Sequence, residues 1–294
     1  MKFLVVLLAV ASLAHGKVLS VPDNHSAYGY LKNSIAEAER IRSLEEKIQA
    51  ESRIVGGVPA GSGQYPYQAG ILIDLVGITE GRALCGASLV SANRLISAAH
   101  CWFDGQHQHQ AWRVEVVLGT VRLFTGGHRQ QTSVFINHPN WFPALARNDV
   151  TVIYLANSVG FSNTIAPVSL PQGAELQETF AGSSAIASGF GLTRDGGSLE
   201  PDQVLSQIRL NVITNSVCRL GFPLVLHETN ICTSGIGQVG TCQGDSGGPL
   251  VVIRGNRHVL IGVTSFGFVL GCQVNFPSAY ARVTSFMDFF NRHI

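Results

Sequence analysis

The chain has 294 residues, of which 46% are hydrophobic and only 13% charged, and its formal net charge at pH 7 is +1. That balance excludes a disordered chain and offers no basic excess for nucleic acid. The 32 glycines point instead to compact β structure with tight turns, in one large or two small cores.

Residues 1–16 open on Met1-Lys2, pass through the apolar run 3–11 and reach the small-residue site Ala14-His15-Gly16. This is the charged, apolar, cleavable order of a secretory signal peptide. It is too short to span a bilayer, which takes about 20 apolar residues. No later stretch is long and apolar enough either, so a soluble, secreted product without a membrane partner is expected. In residues 17–53, Ile35, Ala38, Ile41, Leu44 and Ile48 recur at helical spacing, with Glu37, Glu39, Glu45 and Glu46 between them. The segment stops at Arg53, directly before Ile54-Val55-Gly56-Gly57. It reads as a removable leader, with a flexible linker as the alternative.

From residue 54 the pattern changes to short β-rich runs separated by turns, among them 67–73, 113–118, 150–155, 207–213, 249–253 and 258–264. Many short strands at this spacing predict an all-β barrel or sandwich. Residues 285–292, with Phe286, Phe289 and Phe290, have the spacing of a surface helix. The six cysteines all lie between Cys85 and Cys272. In an exported chain an even count predicts disulfides, with 15 pairings open; zinc is disfavoured because no CxxC pair occurs.

Three sites carry chemistry. Gly244-Asp245-Ser246-Gly247-Gly248 sets a serine among glycines, where backbone can approach a substrate, although ordinary turns look the same. A serine hydroxyl needs a base within hydrogen-bond reach, and the base needs a carboxylate to orient it. Of ten histidines, His100 stands out between Ala98-Ala99 and Cys101, whereas His107, His109 and His128 sit in polar stretches. Asp149 heads an apolar strand after Asn148; seen alone, an acid there is more often a strand cap.

Taken together, the four motifs at 54–57, 98–101, 148–149 and 244–249 occur in one order, and residues 54–294 resemble the chymotrypsin-like serine endopeptidases. The resemblance is nearest to insect digestive chymotrypsins and the collagen-cleaving crab and insect branch. It implies two six-stranded antiparallel β-barrels, roughly 54–160 and 161–294, with a short C-terminal helix. Ser246 would be the nucleophile, His100 the general acid–base and Asp149 its orienter. The N–H groups of Gly244 and Ser246 would form the oxyanion hole, and Ser265-Phe266-Gly267 would pair with substrate backbone. The resemblance also implies the disulfides Cys85–Cys101, Cys218–Cys232 and Cys242–Cys272. A cut between Arg53 and Ile54 by a trypsin-like protease would free an α-amino group to pair with Asp245.

The position that carries an acid in trypsin-like relatives is Gly240 here. With Thr241, Gly267 and Ser278 it would form an open, uncharged pocket suited to Phe, Tyr, Leu or Met. Collagenolytic or elastase-like specificity is the alternative. No cofactor is expected, nor a calcium requirement, since the loop 119–133 contains no Asp or Glu. Residues 54–294 hold 13 Arg and no Lys, while residues 1–53 hold four Lys. Arg stays charged above pH 12, where Lys does not, so an alkaline gut lumen is the expected habitat. Expected partners are protein or peptide substrates, the activating protease and proteinaceous inhibitors, with the enzyme a monomer. A non-catalytic protease homologue and a cascade protease are the competing readings.

Overall fold

The structure is a computed structural model that describes residues 57–78, 82–105, 110–192, 195, 204–267 and 271–294. The signal segment, the leader with its helix-spaced residues, Arg53, Ile54, His107 and His109 lie outside the described residues.

Strands β1 (Val58–Pro59), β2 (Gln68–Leu75), β3 (Ala83–Ser91), β4 (Arg94–Ser97), β5 (Ala111–Leu118), β6 (His128–Thr132), β7 (Phe135–Asn137) and β8 (Thr151–Tyr154) come first in the chain. The seven from β2 to β8 form one antiparallel sheet in the order β6-β5-β2-β3-β4-β8-β7. Its two ends are consecutive in sequence. Only residues 133 and 134 separate β6 from β7, the Val134 carbonyl accepts from Tyr154 N (2.9 Å), and Thr132 Oγ1 donates to the Tyr154 carbonyl (2.7 Å). β6 and β7 are thus one bent strand that closes a six-stranded barrel, which leaves no edge to pair with another chain.

The second barrel contains β9 (Ser184–Gly189), β10 (Ser206–Ile213), β11 (Asn230–Thr233), β12 (Pro249–Arg254), β13 (Arg257–Phe266) and β14 (Ser278–Arg282). Its order is β10-β11-β14-β13-β12-β9, and β9 pairs back onto β10 to close the ring. The short β1 adds to β10 from outside, so Val58 and Pro59 pair with the second barrel although they precede the first in sequence.

The six expected runs are strands β2, β5, β8, β10, β12 and β13, with ends displaced by at most two residues. β10 shows why: Ile208, Leu210 and Val212 alternate inward while Arg209 and Asn211 face water. The strands without such a signal, such as β6 (His-Arg-Gln-Gln-Thr) and β14 (Ser-Ala-Tyr-Ala-Arg), are short and polar or small, and ladder bonds to neighbours hold them. Helix α1 (Asn215–Gly221) also lacked an apolar stripe; Thr214 Oγ1 caps it by accepting from Val217 N (3.3 Å).

The C-terminal helix is α2 (Met287–His293), entered through a 3-10 turn at Val283–Phe286. Phe286, Phe289 and Phe290 are buried, and the His138 ring of the first barrel packs on Phe286 and Phe289 (5.5 and 5.1 Å). Arg94 Nε donates to the His293 carbonyl (3.1 Å). The helix therefore latches the end of the second barrel onto the first. Three further contacts bind the barrels at the cleft: Ser188 Oγ donates to Gln68 Oε1 (2.7 Å), Tyr67 OH meets His258 Nδ1 (2.8 Å), and Gly86 N donates to the Ser246 carbonyl (2.7 Å).

Candidate active site

His100 sits in the 3-10 turn Ala99–Cys101 that follows β4, and Cys101 is bonded to Cys85 on β3. A side chain on so short a turn is held by its neighbours, and here the disulfide and the surrounding alanines bury it to 1% exposure. Asp149 precedes β8, after Asn148 in the left-handed region (φ 57°), whose Nδ2 donates to the Asn140 carbonyl (2.7 Å). Asn tolerates that conformation better than most residues, and the turn aims the carboxylate into the cleft.

The two side chains meet there. Asp149 Oδ2 lies 2.7 Å from His100 Nδ1, and Oδ1 accepts from the His100 backbone N–H at 2.9 Å. Ser265 Oγ donates to the same Oδ2. A carboxylate that accepts from Nδ1 leaves the lone pair on Nε2. His100 Nε2 is buried and has no hydrogen-bond partner among the described residues.

Ser246 lies in a bend where Gly244 (φ 90°) and Gly247 (φ 79°) both take the left-handed region. A Cβ on Gly247 would fall 2.2 Å from Ser97 Oγ and 2.5 Å from the Gly86 carbonyl, both in the first barrel. The bend is therefore pressed against the strands that lead to His100. Cys101 Sγ is 3.8 Å from the Ser246 carbonyl, so residues adjacent to the histidine touch the serine's own backbone. The serine is 6% exposed.

Asp245 points the other way, into the second barrel. It is buried, and accepts from Gly191 N (2.8 Å) and Cys242 N (2.9 Å). Burial pushes its carboxyl up to about 6, against the pull of those two N–H donors. Among the described residues no cation pairs with it. The sequence reading missed its cradle: a Cβ on Gly189 would meet Asp245 Oδ1 at 2.2 Å, and one on Gly191 at 2.6 Å. The alternating glycines of Gly189-Phe190-Gly191 were the available signal.

Gly240 and Ser278, 38 positions apart, are brought together: a Cβ on Gly240 would lie 2.8 Å from Ser278 Oγ and 3.9 Å from the Cys272 carbonyl. Tyr280 OH reaches Thr233 Oγ1 (3.2 Å) and also bonds Thr241 and Ser278. Burial pushes this phenol up to about 12, so it stays a neutral donor at ordinary pH. Phe266 packs edge-on against Phe222 (5.2 Å), with Gly267 beside it. No acidic side chain lies in this group. Cys242–Cys272 and Cys218–Cys232 are disulfides, as is Cys85–Cys101, and no cysteine is free. Among the described residues, the His, Cys and Asp groupings that cluster closely enough for a metal all include these oxidised sulfurs, which offer no thiolate. His128 lies exposed on β6, away from this cleft, beside Gln130.

A carboxylate-oriented imidazole on one closed six-stranded barrel, and a glycine-flanked serine on a second whose backbone packs against the first, match the arrangement of the chymotrypsin-like serine endopeptidases. The chain belongs to the trypsin family: the family model described as Trypsin matches residues 54–290. It is similar to Collagenase of Hypoderma lineatum, at 34% identity over 83% of this chain and 88% of the relative. It is likewise similar to Brachyurin of Leptuca pugilator, at 35% identity over 80% and 96%. The solved structure of HL collagenase superposes with a TM-score of 0.72 at 32% identity, covering 81% of this chain and 97% of its own. The protein is a serine endopeptidase.

Proposed function

We propose that this protease is secreted as a precursor, activated by a cut between Arg53 and Ile54, and cleaves peptides after large apolar residues, with Ser246, His100 and Asp149 as its triad. The observation that carries the reading is the Asp149 carboxylate, which takes three hydrogen bonds and leaves His100 Nε2 as an unpartnered buried acceptor.

In the forward step, His100 Nε2 takes the Ser246 proton as Oγ attacks the scissile carbonyl. Asp149 stabilises the imidazolium that forms. The oxyanion is received by the N–H groups of Gly244 and Ser246, each such donor contributing about 3 kcal/mol. The imidazolium then returns its proton to the leaving amine, and a water repeats the cycle to release the acyl group. Ser265, expected only to pair with substrate backbone, also positions Asp149 through its hydroxyl.

The pocket reading rests on Gly240, Thr241, Ser278 and Gly267, which supply depth and no charge. A panel of peptides that differ at the residue before the cut tests it. Phe and Leu substrates are expected to exceed Arg substrates in kcat/KM by at least about a hundredfold, the scale set by a lone Arg desolvated against an uncharged wall. Faster cleavage after Arg would overturn the reading. The name of the collagenase relative favours one alternative, collagenolysis, which native collagen added to the same panel would reveal.

The alkaline digestive role rests on the charge inventory. The protease region carries only arginine as permanent cation. On the first barrel Arg82 bridges Asp74 (2.9 Å) and Glu115 (2.6 Å), Arg113 also pairs with Asp74 (2.7 Å), and Arg129 approaches Glu115 (3.6 Å). Burial pulls the Arg82 guanidinium down, but its bonds to both acids more than offset this and raise it above its ordinary value. Such a network stays charged where lysine would not. Activity at pH 10 is therefore expected to remain within about twofold of that at pH 8; a collapse above pH 9 would count against the role.

A further inference from the structure

We propose that Asp195 is a positioning residue for the specificity pocket, holding the Cys272 wall in place through its carboxylate. The proposal rests on the pocket reading above and adds a support behind the uncharged lining, 45 residues before Gly240. Asp195 Oδ1 accepts from Cys272 N (2.5 Å) and Oδ2 from Gln273 N (2.9 Å), while Asp195 N donates to Gln273 Oε1 (2.9 Å). Two segments 77 residues apart are thus joined by three bonds, two of them to a charged acceptor.

The other side of the clamp is built to receive it. Gly271 has φ 139°, and a Cβ there would fall 2.4 Å from Asp195 Oδ2. Any side chain at that position would expel the carboxylate. The disulfide to Cys242 does not do the same work: it fixes the sulfur of Cys272 but leaves the adjoining peptide planes free to turn. The Cys272 carbonyl faces the space where a Gly240 side chain would begin, at 3.9 Å. Holding the N–H groups of residues 272 and 273 therefore sets the orientation of a pocket wall. Because Asp195 is exposed, water can replace its bonds at little cost to folding. The consequence falls on substrate fit.

The test uses trypsin-activated parent, Asp195→Ala and Asp195→Asn, with active sites titrated so that rates refer to competent enzyme. For a peptide with the parent's preferred large residue before the cut, KM is expected to rise about tenfold in the alanine variant, the order of one lost charge-assisted bond. The asparagine variant keeps one acceptor oxygen and is expected to rise about threefold. In both, kcat should change by less than about twofold, and so should KM for an Ala peptide, too short to touch the Cys272 wall. An unchanged KM for the large residue overturns the proposal, as does an equal rise for Ala. Should the alanine variant fail to fold, the asparagine variant decides by the same criteria. A parent that preferred Arg would overturn the pocket reading, while the clamp would still stand or fall on the comparison of large residue with Ala.

Discussion

Ser246→Ala is expected to lower kcat by about 10⁶ while leaving the fold intact. In the proposed triad this hydroxyl forms the acyl bond; without it only the binding surface and the oxyanion donors would remain. Phosphonate labelling, monitored as a mass increase on the Ser246 peptide, should disappear in the variant and be stoichiometric in the activated parent. Asp149→Asn is expected to cost about 10⁴, because the amide can offer a donor to Nδ1 and favour the wrong tautomer. Labelling of the parent at another serine would overturn the assignment of Ser246, and absence of labelling would leave the non-catalytic homologue as the better reading.

The second large effect concerns Asp245 and the switch. An acid whose folded value is raised from 3.8 to about 6 carries a penalty that is full above pH 6 and relieved as pH falls toward 4. At neutral pH that penalty is about 3 kcal/mol. A cut after Arg53 would supply the missing cation, the Ile54 α-amino group, whose own value the pairing raises above 7.7–8.0. Its stabilising effect is full below that range and is lost as pH climbs through the raised value. Activated enzyme is therefore expected to melt about 5–10 °C above the precursor near pH 7, with the gap narrowing below pH 6 and again as pH passes the raised amine value, which activity at pH 10 requires to lie about 2 pH units above the ordinary one. Asp245→Asn should abolish the gap and lower kcat/KM by about 10²–10³, the cost of leaving one buried partner alone. Terminal sequencing that found Ile54 exposed but kcat/KM unchanged in this variant would overturn the pairing.

Much of this protein could be read before any folding was considered. Glycine-flanked Ser246, His100 among small residues and Asp149 at a strand head are local signals, as is the alternation of Ile208, Leu210 and Val212 in β10. Each reports a backbone conformation or a face, properties that neighbours in sequence determine. The order of four motifs then carried the family, and with it the barrels. The short strands β6 and β14 carried no such signal, since their place is set by partners across the sheet.

What only the tertiary structure decided are contacts between distant segments. Six cysteines allow 15 pairings, and the folded chain selects one of them by bringing three pairs of Cα atoms within 5.4–6.4 Å. The bond from Ser265 to Asp149 spans 116 residues, and the one from Gly191 to Asp245 spans 54. Gly240 meets Ser278 only because the segment of Gly240 and Thr241 folds back against strand β14, which carries both Ser278 and Tyr280. A linear pattern records period and turn chemistry, but closure of a barrel sets which turns face one another. For that reason the candidate site residues were legible one at a time, whereas the carboxylate's third bond, the cradle of Asp245 and the bonds from Asp195 to residues 272 and 273 emerged from the packing of distant segments.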